Sequence, residues 1–266
     1  MKIRKVINLL LEKMILGVDK VVPLDQIDPE LAKAVIGGGY LDGDKEDDKI
    51  ETKKVSVFVK SLKPAQQEIR INQAIGMCLQ NLLTGKPDLD DLGSIVSSDN
   101  YIMDGHHRWA ASFLQNPNNK ILVTKIDIPG PALLTALNVI TIGKLGVTKG
   151  NKGDNSNIAD IDAGNVKSVI MKLLKSGDDY MTPQQISEAL REVDGSDGDI
   201  NKAIQILQRN AELLPKDIMP SAPPREQMPV ISPKYVPIIK RMFQLGAFDI
   251  KKPYSPKVSN KIDRIN

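Results

Sequence analysis

Asp104-Gly105-His106-His107-Arg108-Trp109-Ala110-Ala111 is the stretch on which this chain turns. Before it, Asn100-Tyr101-Ile102-Met103 is a short, largely apolar run that reads as a strand. After it, Trp109, Ala110, Ala111, Phe113 and Leu114 read as the start of a helix. A strand, a tight Asp-Gly turn and a helix N-terminus together make an anion site. The first-turn amides have no intrahelical partner and the helix dipole favours negative charge there. Arg108 adds a planar fork suited to phosphate or carboxylate. The chain has two histidines, His106 and His107, and both fall in this turn.

Working outward, residues 54–130 carry a compact α/β pattern. Val55, Val57 and Val59 alternate with Lys54, Ser56 and Lys60, as in a half-buried strand. Leu62-Lys63-Pro64-Ala65-Gln66-Gln67-Glu68-Ile69 follows and reads in itself as an ordinary helix start. Residues 70–83 place Ile71, Ala74, Ile75, Cys78, Leu79 and Leu82 on one helical face. Residues 93–97 and 100–103 pair around Ser98-Asp99. Residues 121–128 form another strand, ended by Pro129-Gly130, and 131–142 form a helix.

The Leu62–Ile69 segment and the Asp104–Arg108 turn, taken together, resemble the ParB/sulfiredoxin superfamily over about residues 54–130. Sulfiredoxins carry a cysteine where this chain has His106, so that redox activity is excluded. Partition proteins of the superfamily carry a Gly-Glu-Arg-Arg-like turn where this chain reads His-His-Arg. The free-serine-kinase branch looks most similar, because Asp104, Gly105, His107 and Arg108 match its Asp-Gly-x-His-Arg turn. The resemblance implies an α+β, mixed-sheet domain with nucleotide phosphates held by Gly105, His106, His107 and Arg108. It implies Glu68 and His107 as the catalytic pair, with Glu68 the nearest candidate base; the alternative alignment puts Gln66 at the family's glutamate position, which would leave phosphotransfer without its base. Asp104 would orient His107 or hold a metal ion. The ligands implied are ATP, ADP or CTP, with Mg²⁺.

The remaining chain divides by pattern. Residues 1–53 combine an amphipathic helix with an acidic, glycine-containing loop. In the helix, Ile3, Val6, Ile7, Leu10, Leu11, Met14 and Ile15 share one face. That face docks on this protein or on a second copy. Leu10-Leu11-Glu12 also resembles the capsid-targeting leaders that large tailed phages trim, which implies a phage capsid as partner. Residues 54–142 are the α/β domain, 143–164 a linker, 165–213 a helical unit, and 214–266 an extended proline-rich arm with a basic tail. Thr182-Pro183-Gln184-Gln185 is a capping box with proline at the first helical position. A short helix around Pro237–Leu245 interrupts the arm.

Composition narrows the function classes. The chain has 266 residues, 41% of them hydrophobic and 4% aromatic, with a formal net charge of +3. That charge does not by itself argue for nucleic acid. No run of about 20 apolar residues spans a membrane. The single cysteine, Cys78, suits a reducing cytoplasm and excludes an intramolecular disulfide. There is no P-loop motif. Asp194-Gly195-Ser196-Asp197-Gly198-Asp199 lacks the glycine and glutamate positions of an EF-hand and reads as an interhelix turn. The sequence therefore points first to nucleotide binding with phosphotransfer or nucleotide hydrolysis. A DNA-associated nuclease or partition-type DNA-binding protein is the second reading. A non-catalytic phage virion or assembly protein with a cleaved leader, located in the host cytoplasm or the virion, is the third.

Overall fold

The computed structural model describes residues 21, 23–30, 32–33, 36, 50–85, 94–147, 150, 156–229, 231 and 233–244. The N-terminal helix and its Leu10-Leu11-Glu12 segment, the acidic loop up to residue 49 and the basic tail lie outside the described residues. So does the part of the linker at 148–149 and 151–155.

The centre is a mixed five-stranded sheet. Its strands are β1 (Thr52–Phe58), β2 (Lys63–Pro64), β4 (Ser94–Val96), β5 (Tyr101–Asp104) and β6 (Lys120–Ile126), in the order β1-β6-β4-β5-β2. β1 and β6 are antiparallel, with Val55 opposite Val123, and β4 and β5 are also antiparallel. β4 lies parallel to β6, and β2 parallel to β5. The chain is thus α+β, as its pattern predicts. Segment 62–69 departs from the expected helix start. Pro64 sits in the two-residue edge strand β2, a position where its missing N–H costs no central ladder bond. The chain bends through Ala65–Gln67 and forms β3 (Glu68–Ile69), and the helix begins only at Ile71.

Alternation along the strands divides the interior in two. Ile95, Met103 and Ile126 face one apolar cluster, while Val96, Ile102 and Val123 face the other. On the second face pack α1 (Ile71–Thr84) and α2 (His106–Gln115), with α4 (Ala163–Ser176), α5 (Pro183–Arg191) and α6 (Ile200–Glu212) behind them. The helical unit therefore shares the core of the sheet. The capping box at Thr182 forms, and Asp199 caps α6. On the first face lies α3 (Gly130–Leu145), apolar nearly all round and buried from Ala132 to Ile142. No helix among the described residues is long and apolar enough to cross a membrane.

Two segments expected to be loose are fastened to this body. Within the expected linker, β7 (Ser156–Asn157) pairs antiparallel with β3, satisfying backbone groups that a free linker would leave to water. The arm lies along the first face. Met219, Met228, Ile231, Val236 and Phe243 are buried there, and a helix, α7 (Val236–Gln244), closes it. Each such side chain contributes about 1.5–3 kcal/mol when fully buried, which is how a proline-rich segment unable to build its own core becomes ordered. The surface it wraps is the protein's own.

Candidate functional site

β5 delivers Asp104 to the turn, and Gly105 opens α2 in the left-handed region at φ 99°. The positive φ is what favours glycine, and a side chain there would also displace Ser94 Oγ and come within 3.0 Å of Arg108 Nη2. No side chain caps the first turn of α2. Beside it lies a cavity of about 110 Å³ lined by Asp104, Gly105, His106, His107 and Arg108 from the turn. Gln66 from the bend, Gln73 and Met77 from α1, Met103 from β5 and Arg225 from the arm complete the lining.

The two histidines do something the sequence did not suggest. His106 Nε2 accepts a hydrogen bond from the Ala65 N–H at 3.1 Å, and His107 Nε2 accepts one from the Arg70 N–H at 3.0 Å. Both rings are therefore neutral, with the proton on Nδ1. Burial, reinforced by the nearby positive charge of Arg225, holds His106 well below the ordinary histidine range. The same causes bring His107 down to about 4. The pair pins the strip from Ala65 to Arg70 against α2. With Nε2 occupied, neither ring can take a proton at that atom without breaking a backbone bond.

Arg108 Nη2 donates to Asp104 Oδ2 at 3.2 Å and lies 3.5 Å from Ser94 Oγ. Its Nε is buried and has no hydrogen-bond partner. Burial pushes the Asp104 carboxyl above its usual range, and Arg108 and Arg225 partly counter this. Gln66 is 1% exposed, donates to the Glu68 carbonyl at 2.6 Å and accepts from Arg225 Nη1 at 3.3 Å. Glu68 is not among the lining residues; its carboxylate accepts from the Arg225 backbone N–H at 3.4 Å. Of the sequence candidates, Asp104, Gly105, His106, His107, Arg108 and Gln66 thus line one cavity, while Glu68 braces the arm beside it.

Arg225, Gln73, Met77 and Met103 were not anticipated. Gln73 lies on the exposed side of α1, and Arg225 lies in a stretch with no periodic pattern. Among the described residues, no three His, Cys, Asp or Glu side chains gather as metal ligands. Asp104, alone and already paired with Arg108, does not form a cation cage, and a Mg²⁺ ion here would depend on phosphate oxygens for its coordination. Searches of protein families, curated proteins and solved structures find no match for this chain.

Proposed function

We propose that the protein binds a nucleotide by its phosphate in the cavity at the Asp104–Arg108 turn, and that the surrounding sheet is a ParB/sulfiredoxin-like domain. The observation that carries this reading is the buried, unpartnered Nε of Arg108 beside an uncapped helix N-terminus. A buried charged donor without an acceptor is costly, and a phosphate oxygen is the acceptor that such a turn is shaped to receive. Neutral histidines are compatible with this role, since each retains an Nδ1–H donor. ATP, ADP and CTP are the candidate ligands.

Binding is better supported than phosphotransfer. A transferase needs a base against the acceptor hydroxyl. Glu68 is engaged with the arm, Gln66 cannot serve as a base, and His107 Nε2 is occupied. Among the described residues, Asp104 is the one carboxylate lining the cavity.

Thermal denaturation with ATP, ADP, CTP or inorganic phosphate, each with and without Mg²⁺, tests the reading, because a ligand of the folded state raises the melting temperature. Arg108→Ala is expected to weaken binding by about 10- to 150-fold, the equivalent of about 1.5–3 kcal/mol for a charged hydrogen bond. A folded Arg108→Ala protein with unchanged affinity would refute it.

A further inference from the structure

The arm does more than cover apolar surface. Among the described residues it is tied to the strip 64–68 by hydrogen bonds from Met219 N–H to the Pro64 carbonyl, from Gln67 Nε2 to the Ala222 carbonyl, and from Arg225 to Glu68 and Gln66. That strip adjoins the Ala65 and Arg70 amides held by His106 and His107. The arm and α2 are thus fastened to the same short stretch, and the cavity lies where they meet. Glu68 fixes the Arg225 backbone and Gln66 fixes one end of its guanidinium. Five donors are available on that fork, and the bond to Gln66 uses one.

Charge around the cavity is unbalanced. Among the described residues, two guanidiniums line it, Arg108 and Arg225, against the carboxylate of Asp104; the Glu68 carboxylate lies outside the lining, on the Arg225 backbone N–H. The two histidines that line it are neutral, each accepting a backbone N–H at Nε2. Holding a second, half-buried arginine beside the Asp104 carboxylate costs free energy that an anion completing the site would offset.

We propose that Arg225 is the second phosphate-binding arginine of this site, forming with Arg108 a clamp for a dianionic terminal phosphate held by a single linkage, as in a monoester or a nucleoside diphosphate. The inference rests on the phosphate reading above and adds both the residue and the ligand class. Such a phosphate offers three terminal oxygens and two negative charges to two forks. A phosphodiester offers two free oxygens and one charge, and must lead a chain out on two sides. The arm is then a strap that bound phosphate holds shut.

The test is calorimetric titration of the full chain with inorganic phosphate, ADP and dimethyl phosphate, using wild type, Arg108→Ala, Arg225→Ala, Arg225→Gln and Arg225→Lys. Ligand-free melting temperatures verify that each variant folds. Arg225→Ala and Arg225→Gln should each weaken phosphate and ADP by about 10- to 150-fold, the range for a charged hydrogen bond. Arg225→Lys, which keeps the charge without the fork, should lose less. Dimethyl phosphate should bind wild type at least about tenfold more weakly than phosphate, a difference of about 1.4 kcal/mol. If Arg225→Ala unfolds, Arg225→Gln decides, because its amide can still donate to Gln66. Wild-type affinity in folded Arg225 variants, alongside loss in Arg108→Ala, overturns the clamp and leaves the phosphate reading standing. Equal binding of dimethyl phosphate overturns the terminal-phosphate assignment. Failure of wild type to bind phosphate or ADP overturns both readings.

Discussion

Trp109→Ala is expected to destabilise the fold by about 3–5 kcal/mol, the range for deleting a large buried aromatic. That is a substantial part of the 5–15 kcal/mol that typically holds a domain together. Trp109 is fully buried in the second face of the sheet, edge-on to Phe113 with ring centroids 6.3 Å apart. Its Nε1–H donates to the Val59 carbonyl at 2.9 Å. That carbonyl also accepts from the Leu62 N–H, so it is not left orphaned and the loss is chiefly one of packing. Trp109→Phe should cost less, because it keeps most of the ring volume. Urea denaturation followed by circular dichroism measures both, since Trp109 is the only tryptophan and the mutants lose the fluorescence signal. A midpoint unchanged by Trp109→Ala would contradict the burial described.

The second large effect is loss of stability in mild acid. His107 titrates at about 4 when folded, against an ordinary value of 6.5. Between those values the unfolded chain binds more protons, so stability rises with pH through this window and levels off above it. Acidification from pH 7 to pH 4 should therefore remove about 3 kcal/mol through His107 alone. His106 adds to this with the same sign, since its pKa is also lowered. Asp104 acts in the opposite direction: its raised pKa means that the folded state takes up its proton first, which favours folding as pH falls towards the ordinary aspartate range. His107→Gln supplies an acceptor for the Arg70 amide without a titrating ring. Its unfolding free energy should fall less between pH 7 and pH 4.5 than that of wild type. Parallel pH dependences would remove His107 as the cause.

The sheet and its helices were legible because their signals are local. Alternation at Val55 and Val57, one apolar face in α1, and the capping box at Thr182 each follow from a period or a cap. The turn at Asp104–Arg108 was legible for the same reason. What the histidines do was not, since their partners are backbone amides about 40 residues earlier, and any residue type supplies an amide. Gln66 and Glu68 are two residues apart, so strand alternation would put them on one face. The bend at Ala65–Gln67 breaks that alternation, sending Gln66 into the cavity and leaving Glu68 outside its lining. Arg225 carried no signal because its position depends on where the arm docks. The attachment of Ser156–Asn157 to β3 is likewise a tertiary event with no mark in its short polar sequence.

Gln66 and Arg225 stand 159 residues apart in the chain yet share a hydrogen bond at the cavity wall. During synthesis on the ribosome, the turn, the histidine pins and α1 can all assemble while the strap has still to be made. Until Arg225 emerges and docks, the half-built cavity lacks that wall and leaves the Gln66 side chain without this partner. A nascent chain halted before the arm would then hold the sheet but not the finished pocket, so the pocket is completed long after the turn that begins it.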